Sequence, residues 1–130
     1  MNLYSEVDRI HNDLRAVGIG PDDPLTVDVL SQFDQFHYFG TDAVDEAIAE
    51  AGIGAGSRVL DIGSGLGGPA RYLAERTGCH VTAIELQPDL SALAASLTDR
   101  CGLAPRVDHL QADILTHELD AGTYDAVVSW

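Results

Sequence analysis

In the second half of the chain, short runs with β-strand character alternate with helical segments, and this alternation constrains the fold more than any other feature. Helices separate the first three runs, and only a short loop or single turn links the third to the fourth. The runs are Arg58–Ile62, His80–Ile84, Arg106–Leu110 and Tyr124–Ser129. Strands that alternate with helices form parallel sheets with right-handed crossovers. The sequence therefore predicts an α/β fold in which helices cover a parallel sheet as three α/β/α layers.

The two helices between these strands have clear boundaries. The first covers Pro69–Arg76, with proline at its start and Gly78 after its end. The second covers Pro88–Cys101, carries leucine and alanine on one face, and stops at Gly102. Proline fits the first turn of a helix and glycine fits the position after its end, so both segments are predicted helices.

The N-terminal part of the chain shows helical spacing without β-rich runs. Apolar residues recur at steps of three and four over Leu3–Val17, and a second apolar stripe covers Ala43–Ala51. Thr41 or Asp42 is the predicted N-cap of the second helix. The segment Phe33–Gly40 between the two helices is rich in aromatic residues, and we expect it to form an ordered connection.

A glycine-rich turn, Asp61–Gly68, directly follows the first strand and precedes a helix. Glycine lets a ligand approach the backbone, and the helix N-terminus offers free N–H groups and a partial positive charge. Gly63, Gly65 and Gly68 also satisfy the G-x-G-x-x-G pattern, so the turn alone does not identify the ligand. Glu85 follows about 20 residues later, where a carboxylate accepts hydrogen bonds from ribose hydroxyls. The turn and this carboxylate together predict an adenosine ligand.

Two further positions fall at the same edge of the predicted sheet. Asp113 follows the third strand, where it can meet an adenine amino group, and Ser129–Trp130 flanks the glycine turn on the other side. Asp61 separates the two classes of adenosine ligand, because a carboxylate here repels a pyrophosphate but suits the ammonium and sulfonium of S-adenosylmethionine. The alternative is that Asp61 only stabilises the turn by accepting local N–H groups.

The segment Val59–Gly67 resembles motif I of the class I S-adenosylmethionine-dependent methyltransferases, and Gly67–Ala74 is similar to the branch that acts on small molecules. That branch includes sterol, tocopherol, phosphoethanolamine, and sarcosine or dimethylglycine methyltransferases. The resemblance implies a Rossmann-like fold, S-adenosyl-L-methionine as cofactor and a small-molecule methyl acceptor. It also implies that Gln35–Gly40 closes over the methyl donor. We therefore expect one domain, with residues 1–55 as a helical lid segment and residues 56–130 as the cofactor-binding half.

The resemblance also implies roles for individual residues. Glu85 would bind the ribose, Leu86 would pack near the adenine, and Asp113 with Ile114 would contact the adenine. The run Tyr124–Ser129 is similar to the fourth strand of the family. The complete set of predicted cofactor-binding residues is Asp61, Gly63, Ser64, Gly65, Gly67, Glu85, Leu86, Asp113, Ile114 and Ser129.

The resemblance stops at Trp130, where members of the family continue with further strands and most of the substrate pocket. We therefore interpret the chain as truncated after the fourth strand. A fourth strand at the edge of the sheet exposes backbone that can pair with another strand. Self-association, or pairing with a complementary chain, is the expected consequence.

Transfer of a methyl group requires in-line approach of the acceptor, so the protein supplies proximity and orientation, and no catalytic residue is assigned. His37 and Tyr38 are the candidates for a base, although packing in the core or lid is the preferred interpretation of both. Two alternative functions remain. A nicotinamide- or flavin-dependent oxidoreductase would leave Asp61 and Asp113 unexplained. The second alternative is a non-catalytic fragment that binds S-adenosylmethionine or only associates with another chain.

The charge balance limits the expected partners, because 21 Asp and Glu against 7 Lys and Arg give a formal net charge of -14. An acidic surface serves solubility and repels nucleic acid and anionic lipid, so neither partner is expected.

Cys79 and Cys101 lack metal-ligand spacing, so no metal site is predicted and a cytoplasmic location is expected. The N-terminus has no signal-peptide pattern, and no apolar run approaches the ~20 residues of a membrane span.

Overall fold

The computed structural model describes residues 3–130, and the side chains of residues 7–130. The side chain of Leu3, the first of the predicted apolar stripe, lies outside the described residues. Helices and strands alternate after residue 57 as the sequence predicts. In chain order the elements are α1 Leu3–Ala16, α2 Val27–Leu30, α3 Gly40–Ala51, β1 Arg58–Ile62, α4 Gly68–Thr77, β2 His80–Glu85, α5 Pro88–Arg100, β3 Val107–Gln111 and β4 Ala126–Val128.

The strands form one parallel sheet in the order β3-β2-β1-β4, which confirms the predicted α/β fold. The chain order reverses at β1, because β2 and β3 lie on one side of it and β4 on the other. In open parallel sheets, ligands bind beyond the carboxyl ends of the strands at such a reversal. Asp61 of β1 pairs in register with Ala83 of β2 and Val128 of β4, so it lies near that edge in the middle of the sheet.

A first apolar core lies between the sheet and the helices. Because right-handed crossovers place α4 and α5 on the same face, this face carries most of the packing. The buried members are Val44, Ile53, Val59, Ala70, Leu73, Ala74, Cys79, Val81, Ala83 and Val107. On the opposite face, Val127 of the edge strand β4 is in register with Leu60 and is 60% exposed.

A second apolar core joins the N-terminal helices to the rest of the molecule. It contains residues of α1, the connection to α2, α2 itself, the glycine turn and α5, namely Ile10, Leu14, Leu25, Leu30, Leu66, Leu93 and Leu97. Leu66 is the member that belongs to the glycine turn. The N-terminal segment is therefore packed directly against the turn and α5.

The helix boundaries differ from the prediction in the aromatic region. The short helix α2 was not expected, and its N-cap Thr26 accepts the N–H of Val29 at 3.2 Å. The predicted caps Thr41 and Asp42 were wrong, because α3 already begins at Gly40. Phe39 occupies the N-cap position with a φ of 65° and makes no side-chain capping bond. The tight backbone reversal at this point, rather than a polar side chain, sets the start of the helix.

Strand β4 is shorter than the predicted run, and hydrogen bonds that involve side chains add to the pairing at both of its ends. Before the strand, Asp125 donates its N–H to the Arg58 carbonyl at 2.7 Å, and its carboxylate accepts the Arg58 N–H at 2.8 Å. After the strand, the Ser129 hydroxyl donates to the Ile62 carbonyl at 3.0 Å. These bonds hold both ends of β4 against β1.

Among the described residues, the longest and most apolar helices still fall short of what a membrane crossing requires.

Candidate cofactor site

A cleft of about 370 Å³ lies at the carboxyl end of β1, where the strand order reverses. The first half of the glycine turn forms its floor, and aromatic side chains form much of its rim. The lining residues are Asp34, Phe36, His37, Tyr38, Gly63, Ser64, Gly65, Leu66, Pro69 and Trp130. A cavity of similar volume lies between α1 and Arg100, away from the strand ends. The Arg100 guanidinium there already donates to the carbonyls of Gly20 and Asp23, so we place the site in the first cleft.

Gly63 and Gly65 expose their backbone to this cleft. Both have positive φ angles, 72° and 55°, which favour glycine. A Cβ atom added at either position would have no heavy atom within 4 Å. The N–H groups of Gly63 and Ser64 both donate to the Ile84 carbonyl at 2.9 Å, which anchors the turn to β2. The turn is thus fixed in position while one side of its backbone stays accessible to a ligand.

Gly67 and Gly68 have the opposite environment. A Cβ atom at Gly67 would lie 2.8 Å from Cε1 of His109 and 2.9 Å from Nη1 of Arg71. A Cβ atom at Gly68 would overlap the backbone carbonyl of Asp34. These two glycines allow α4 to begin in close contact with its neighbours. Gly67, which the resemblance placed in the cofactor loop, does not line the cleft.

Asp61 lies beneath the turn and is fully buried. Neither of its carboxylate oxygens has a hydrogen-bond partner among residues 7–130. Burial, and to a smaller extent the negative charge of Glu85, raise the pKa of Asp61 to about 7. A buried acceptor without a donor is costly, so this carboxylate suits a ligand that brings a positively charged donor. No bond to local N–H groups supports the alternative that Asp61 only stabilises the turn.

Glu85 connects the end of β2 to the glycine turn. Its Oε2 accepts the Gly65 N–H at 2.8 Å, and its Oε1 accepts the Gln87 N–H at 3.1 Å. The side chain is 8% exposed, so it is accessible only through a small opening. Because each carboxylate oxygen has a second lone pair, Glu85 can still accept two ligand hydroxyl groups.

Of the predicted residues, Gly63, Ser64 and Gly65 line the cleft itself, and Asp61 and Glu85 lie next to the turn. Leu86, Asp113 and Ile114 lie along the same edge of the sheet, outside the cleft. Leu86 is 59% exposed, and its carbonyl accepts the side chain of Gln111 at 2.8 Å. The Asp113 carboxylate accepts the Leu115 N–H at 2.9 Å, and Ile114 beside it is half-buried. The structure therefore brings together Asp61, Gly63, Ser64, Gly65 and Glu85, and it leaves Leu86, Asp113 and Ile114 beyond the ends of β2 and β3.

The aromatic rim was only partly predicted from the sequence. The rings of His37 and Trp130 pack against each other in a tilted arrangement, with centroids 5.1 Å apart and an angle of 32° between their planes. One His37 ring nitrogen lies 2.9 Å from the Gln35 side-chain oxygen, and the other lies 3.0 Å from the Tyr38 carbonyl. Both nitrogens are thus engaged in contacts within the segment. Tyr38 is 90% exposed, so neither candidate base is held by a contact that would activate it.

Sequence reasoning missed the buried pair of Asp34 and Arg71, which lies behind the cleft with an Nη2–Oδ2 distance of 3.0 Å. Arg71 stands beside Ala70, Leu73 and Ala74 on the buried face of α4. That apolar neighbourhood is the one signal that points to a buried arginine. Its partner lies 37 positions earlier in the chain, where no local pattern indicates it. Among the described residues, no group of three or more potential ligands is placed to hold a metal ion.

Residues 59–130, more than half of the chain, match the family model of a methyltransferase domain. The sterol 24-C-methyltransferase of Saccharomyces cerevisiae is 35% identical over 78 residues, which cover 60% of this chain and 20% of the yeast protein. The phosphoethanolamine N-methyltransferase of Plasmodium falciparum is 30% identical over 90 residues, which cover 69% of this chain and 33% of that protein. The chain thus spans a third or less of the length of these relatives.

Solved structures of methyltransferases are similar in fold, and one of them illustrates the likeness in sequence as well. It is an RNA methyltransferase from Salinibacter ruber in complex with S-adenosyl-L-homocysteine, with a TM-score of 0.64 and 26% identity. The alignment covers 72% of this chain and 60% of the other.

Proposed function

The chain belongs to the methyltransferase domain family, and from that premise we propose that it binds S-adenosyl-L-methionine and serves methyl transfer to a small-molecule acceptor. The observation that carries the proposal is the buried Asp61 carboxylate, which has no hydrogen-bond partner among residues 7–130 and lies beside the open backbone of Gly63 and Gly65. This arrangement fits a ligand that brings an ammonium group to Asp61, and it would repel a pyrophosphate. A nicotinamide-dependent oxidoreductase is therefore the weaker hypothesis.

Each part of the cofactor would have a counterpart in the site. Asp61 would hold the ammonium group, and Gly63, Ser64 and Gly65 would form the floor against the methionine tail. Glu85 would accept the ribose hydroxyls through its free lone pairs. At the far end, Asp113 would accept the adenine amino group, with Leu86 and Ile114 packed against the ring. Gly67 and Ser129 would act indirectly, Gly67 by allowing α4 to pack and Ser129 by holding β4 against Ile62.

When bound, the cofactor supplies an electrophilic methyl group on a sulfonium. The chain's own contribution is to orient the bound molecules and exclude water. Phe36, His37, Tyr38 and Trp130 surround the cleft opening with apolar ring surface. The packed rings of His37 and Trp130 join the N-terminal segment to the end of β4 across this opening.

The acceptor is proposed to be small and not polyanionic. The two curated relatives are named for sterol and phosphoethanolamine acceptors. The solved neighbour is named for RNA, but a net charge of -14 opposes binding of a phosphate backbone. The cleft is lined by one carboxylate, Asp34, and by no lysine or arginine side chain among the described residues.

We also propose that two segments of one domain have different roles. Residues 1–55 would act as a helical lid segment and residues 56–130 as the cofactor-binding half. The second core supports this, because Ile10 and Leu14 of α1 pack with Leu97 of α5. Strand β4 is an edge strand of the described sheet, with β1 on one side only, and this supports pairing of its other edge with a second copy or a complementary chain. The two free cysteines fit a cytoplasmic location.

Calorimetric titration with S-adenosyl-L-methionine, S-adenosyl-L-homocysteine and NAD tests the proposal. We expect saturable binding of the first two and none of NAD. Glu85→Ala should weaken binding by about tenfold or more, since hydrogen bonds to a charged group are lost. The matched control is Glu75→Ala, which removes an exposed carboxylate on α4 and should leave affinity unchanged.

Binding of NAD at comparable affinity, or equal affinity of the Glu85→Ala variant and the unaltered chain, would overturn the site assignment. Methyl transfer to added amines separates an enzyme from a fragment that only binds the cofactor. Gel filtration over a range of protein concentrations tests the proposed pairing through β4, which predicts a concentration-dependent increase in apparent mass.

A further inference from the structure

The guanidinium of Arg71 joins separate segments behind the cleft. Its Nη2 donates to the Asp34 carboxylate at 3.0 Å and to the Leu66 carbonyl at 2.6 Å. Its Nη1 donates to the Ala94 carbonyl and to the Thr98 hydroxyl, both at 3.2 Å. One side chain of α4 therefore holds the aromatic segment, the glycine turn and α5 at fixed distances from one another.

The contacts continue to the third strand. The Thr98 hydroxyl lies 2.7 Å from Nε2 of His109 on β3. Burial and the positive charge of Arg71 lower the pKa of His109 to about 4, so this imidazole is neutral near pH 7. A neutral ring can accept the Thr98 hydrogen, which leaves the Thr98 oxygen free to accept from Arg71. The polar network thus runs from Asp34 through Arg71 and Thr98 to His109 on the edge strand β3. Because His109 is neutral, Arg71 is the one positively charged member of this network.

Arg71 cannot contact a ligand in the cleft. Its side chain is fully buried, and that of Asp34 is nearly so. Burying such a pair carries a large desolvation penalty, and well-packed apolar residues often replace one without loss of stability. Stability alone is therefore a poor explanation for an arginine here. Its contacts give a better one, because they fix the two segments that form the cleft.

Both of these segments are attached at positions next to the cleft. Asp34 directly precedes Gln35–Tyr38, which forms the aromatic rim, and Leu66 directly follows the open glycines of the turn. Gly68 packs against the Asp34 backbone carbonyl, so the base of the aromatic segment has little freedom to shift. A movement of the Arg71 side chain would therefore change the distance between the aromatic rim and the floor of the cleft.

From this geometry we infer that Arg71 is a positioning residue, which sets the shape of the cofactor cleft by fixing the glycine turn and the aromatic segment to each other. The inference rests on the proposed function for its effect on cofactor affinity. Its structural part concerns the relation between Asp34, Leu66 and the aromatic rim, and it can be tested without a ligand.

Arg71→Lys is the decisive variant. Lysine keeps the positive charge but is a point donor, and it cannot span four acceptors as the planar guanidinium does. We expect affinity for S-adenosyl-L-methionine, measured by calorimetry, to fall by about tenfold or more because the cleft is misaligned. The matched control is Arg76→Lys, one turn further along α4, where an exposed arginine lies 3.5 Å from Asp45. This control should change affinity by less than about twofold.

A second measurement separates positioning from a loss of stability. Trp130 is the single tryptophan of the chain and packs against His37 at the rim, so its fluorescence reports the position of the aromatic segment. In the ligand-free Arg71→Lys variant, acrylamide should quench Trp130 more strongly, at a temperature where circular dichroism shows the chain to be folded. A purely structural role would lower the unfolding temperature but leave quenching of the folded protein unchanged.

Unchanged affinity and unchanged quenching in folded Arg71→Lys would overturn the inference. If the unaltered chain binds no S-adenosyl-L-methionine, the proposed function fails, and Trp130 quenching still decides whether Arg71 positions the rim. If Arg71→Lys does not fold, Trp130 quenching in Asp34→Asn decides the question, because Asp34 lines the cleft and its affinity effect could be direct. Unchanged quenching in folded Asp34→Asn would then overturn the inference. That variant keeps the side-chain shape and an acceptor oxygen but removes the negative charge, so a smaller change in the same direction supports the inference.

Discussion

The two halves of the glycine-rich turn use the same residue for different physical reasons. Gly63 and Gly65 have open space where a Cβ atom would be, whereas Gly67 and Gly68 have neighbouring protein atoms there. The first pair leaves space that a ligand can occupy. The second pair leaves space that other residues of the chain already fill. Four glycines in one short motif therefore do not form one ligand-binding loop.

The surroundings of the two pairs explain the difference. The first pair lies over the ends of β1 and β2, beside Glu85 and the Asp61 carboxylate, for which the described part of the chain offers no hydrogen-bond partner. The second pair begins α4, where the buried Arg71 and the Asp34 backbone approach most closely. The first half is proposed to bind the cofactor, and the second half holds the helix and the aromatic segment in place. Substitutions in the two halves should therefore have different consequences.

Gly68→Ala is predicted to have the largest effect, and the effect is on stability. The added methyl group would overlap the Asp34 backbone carbonyl, which cannot rotate away as a side chain can. We expect the free energy of unfolding in urea to fall by about 3 kcal/mol or more. Gly54→Ala is the control, because its Cβ would meet no atom within 4 Å, and it should change stability by less than about 0.5 kcal/mol. Equal stabilities would show that the second half is not closely packed.

Asp61→Asn is predicted to stabilise the fold and to weaken binding of the cofactor. The buried carboxylate has a pKa of about 7, so at pH 8 the fold carries a desolvated charge that asparagine lacks. We expect a higher unfolding temperature at pH 8 and a loss of S-adenosyl-L-methionine affinity of about 10- to 100-fold. Asp99→Asn, at an exposed carboxylate near the end of α5, should change neither quantity. Retained affinity in Asp61→Asn would remove the main support for a cationic ligand.

The pH dependence of stability gives an independent check of Asp61. Between about pH 4 and 7, the folded chain keeps a proton on Asp61 that the unfolded chain has lost, so the free energy of unfolding decreases as pH rises. His109 contributes the opposite slope from about pH 4 to 6.5, because its pKa is lowered in the fold. The difference between the unaltered chain and Asp61→Asn isolates Asp61. That difference should grow up to about pH 7 and then stay constant.

Gly65→Ala is predicted to have a smaller effect, shared between affinity and stability. The methyl group would enter the space that a ligand needs, and we expect affinity to fall by about tenfold. Because alanine is strained at a φ of 55°, the free energy of unfolding should fall by about 1 to 2 kcal/mol. Calorimetry and urea unfolding measure the two effects separately. A stability loss as large as that of Gly68→Ala would contradict the distinction between the two halves.

The local parts of this architecture were predictable from sequence, and the long-range parts were not. β1 begins and ends as predicted, and α4 begins within one residue of Pro69, because burial patterns and helix signals act over a few residues. The neighbourhood of Asp61 and Glu85 follows from two parallel strands ending at one edge. By contrast, the contact between Arg71 and Asp34 depends on how α4 meets a segment that has no regular structure. The same contact explains why glycine is needed at position 68, which the motif alone did not reveal.

Ser129→Ala is predicted to have the smallest effect. It tests whether the ligand-accessible region at Gly63 and Gly65 extends as far as β4. The Ser129 hydroxyl donates to the Ile62 carbonyl at 3.0 Å, but Ser129 is exposed, so water can replace this bond. We expect the free energy of unfolding to fall by about 1 kcal/mol or less and affinity for S-adenosyl-L-methionine to stay within about twofold. A tenfold loss of affinity without a stability change would instead mean that Ser129 contacts the cofactor directly. The ligand would then lie against β4 as well as against the first two glycines, and the open region would span the whole point at which the strand order reverses.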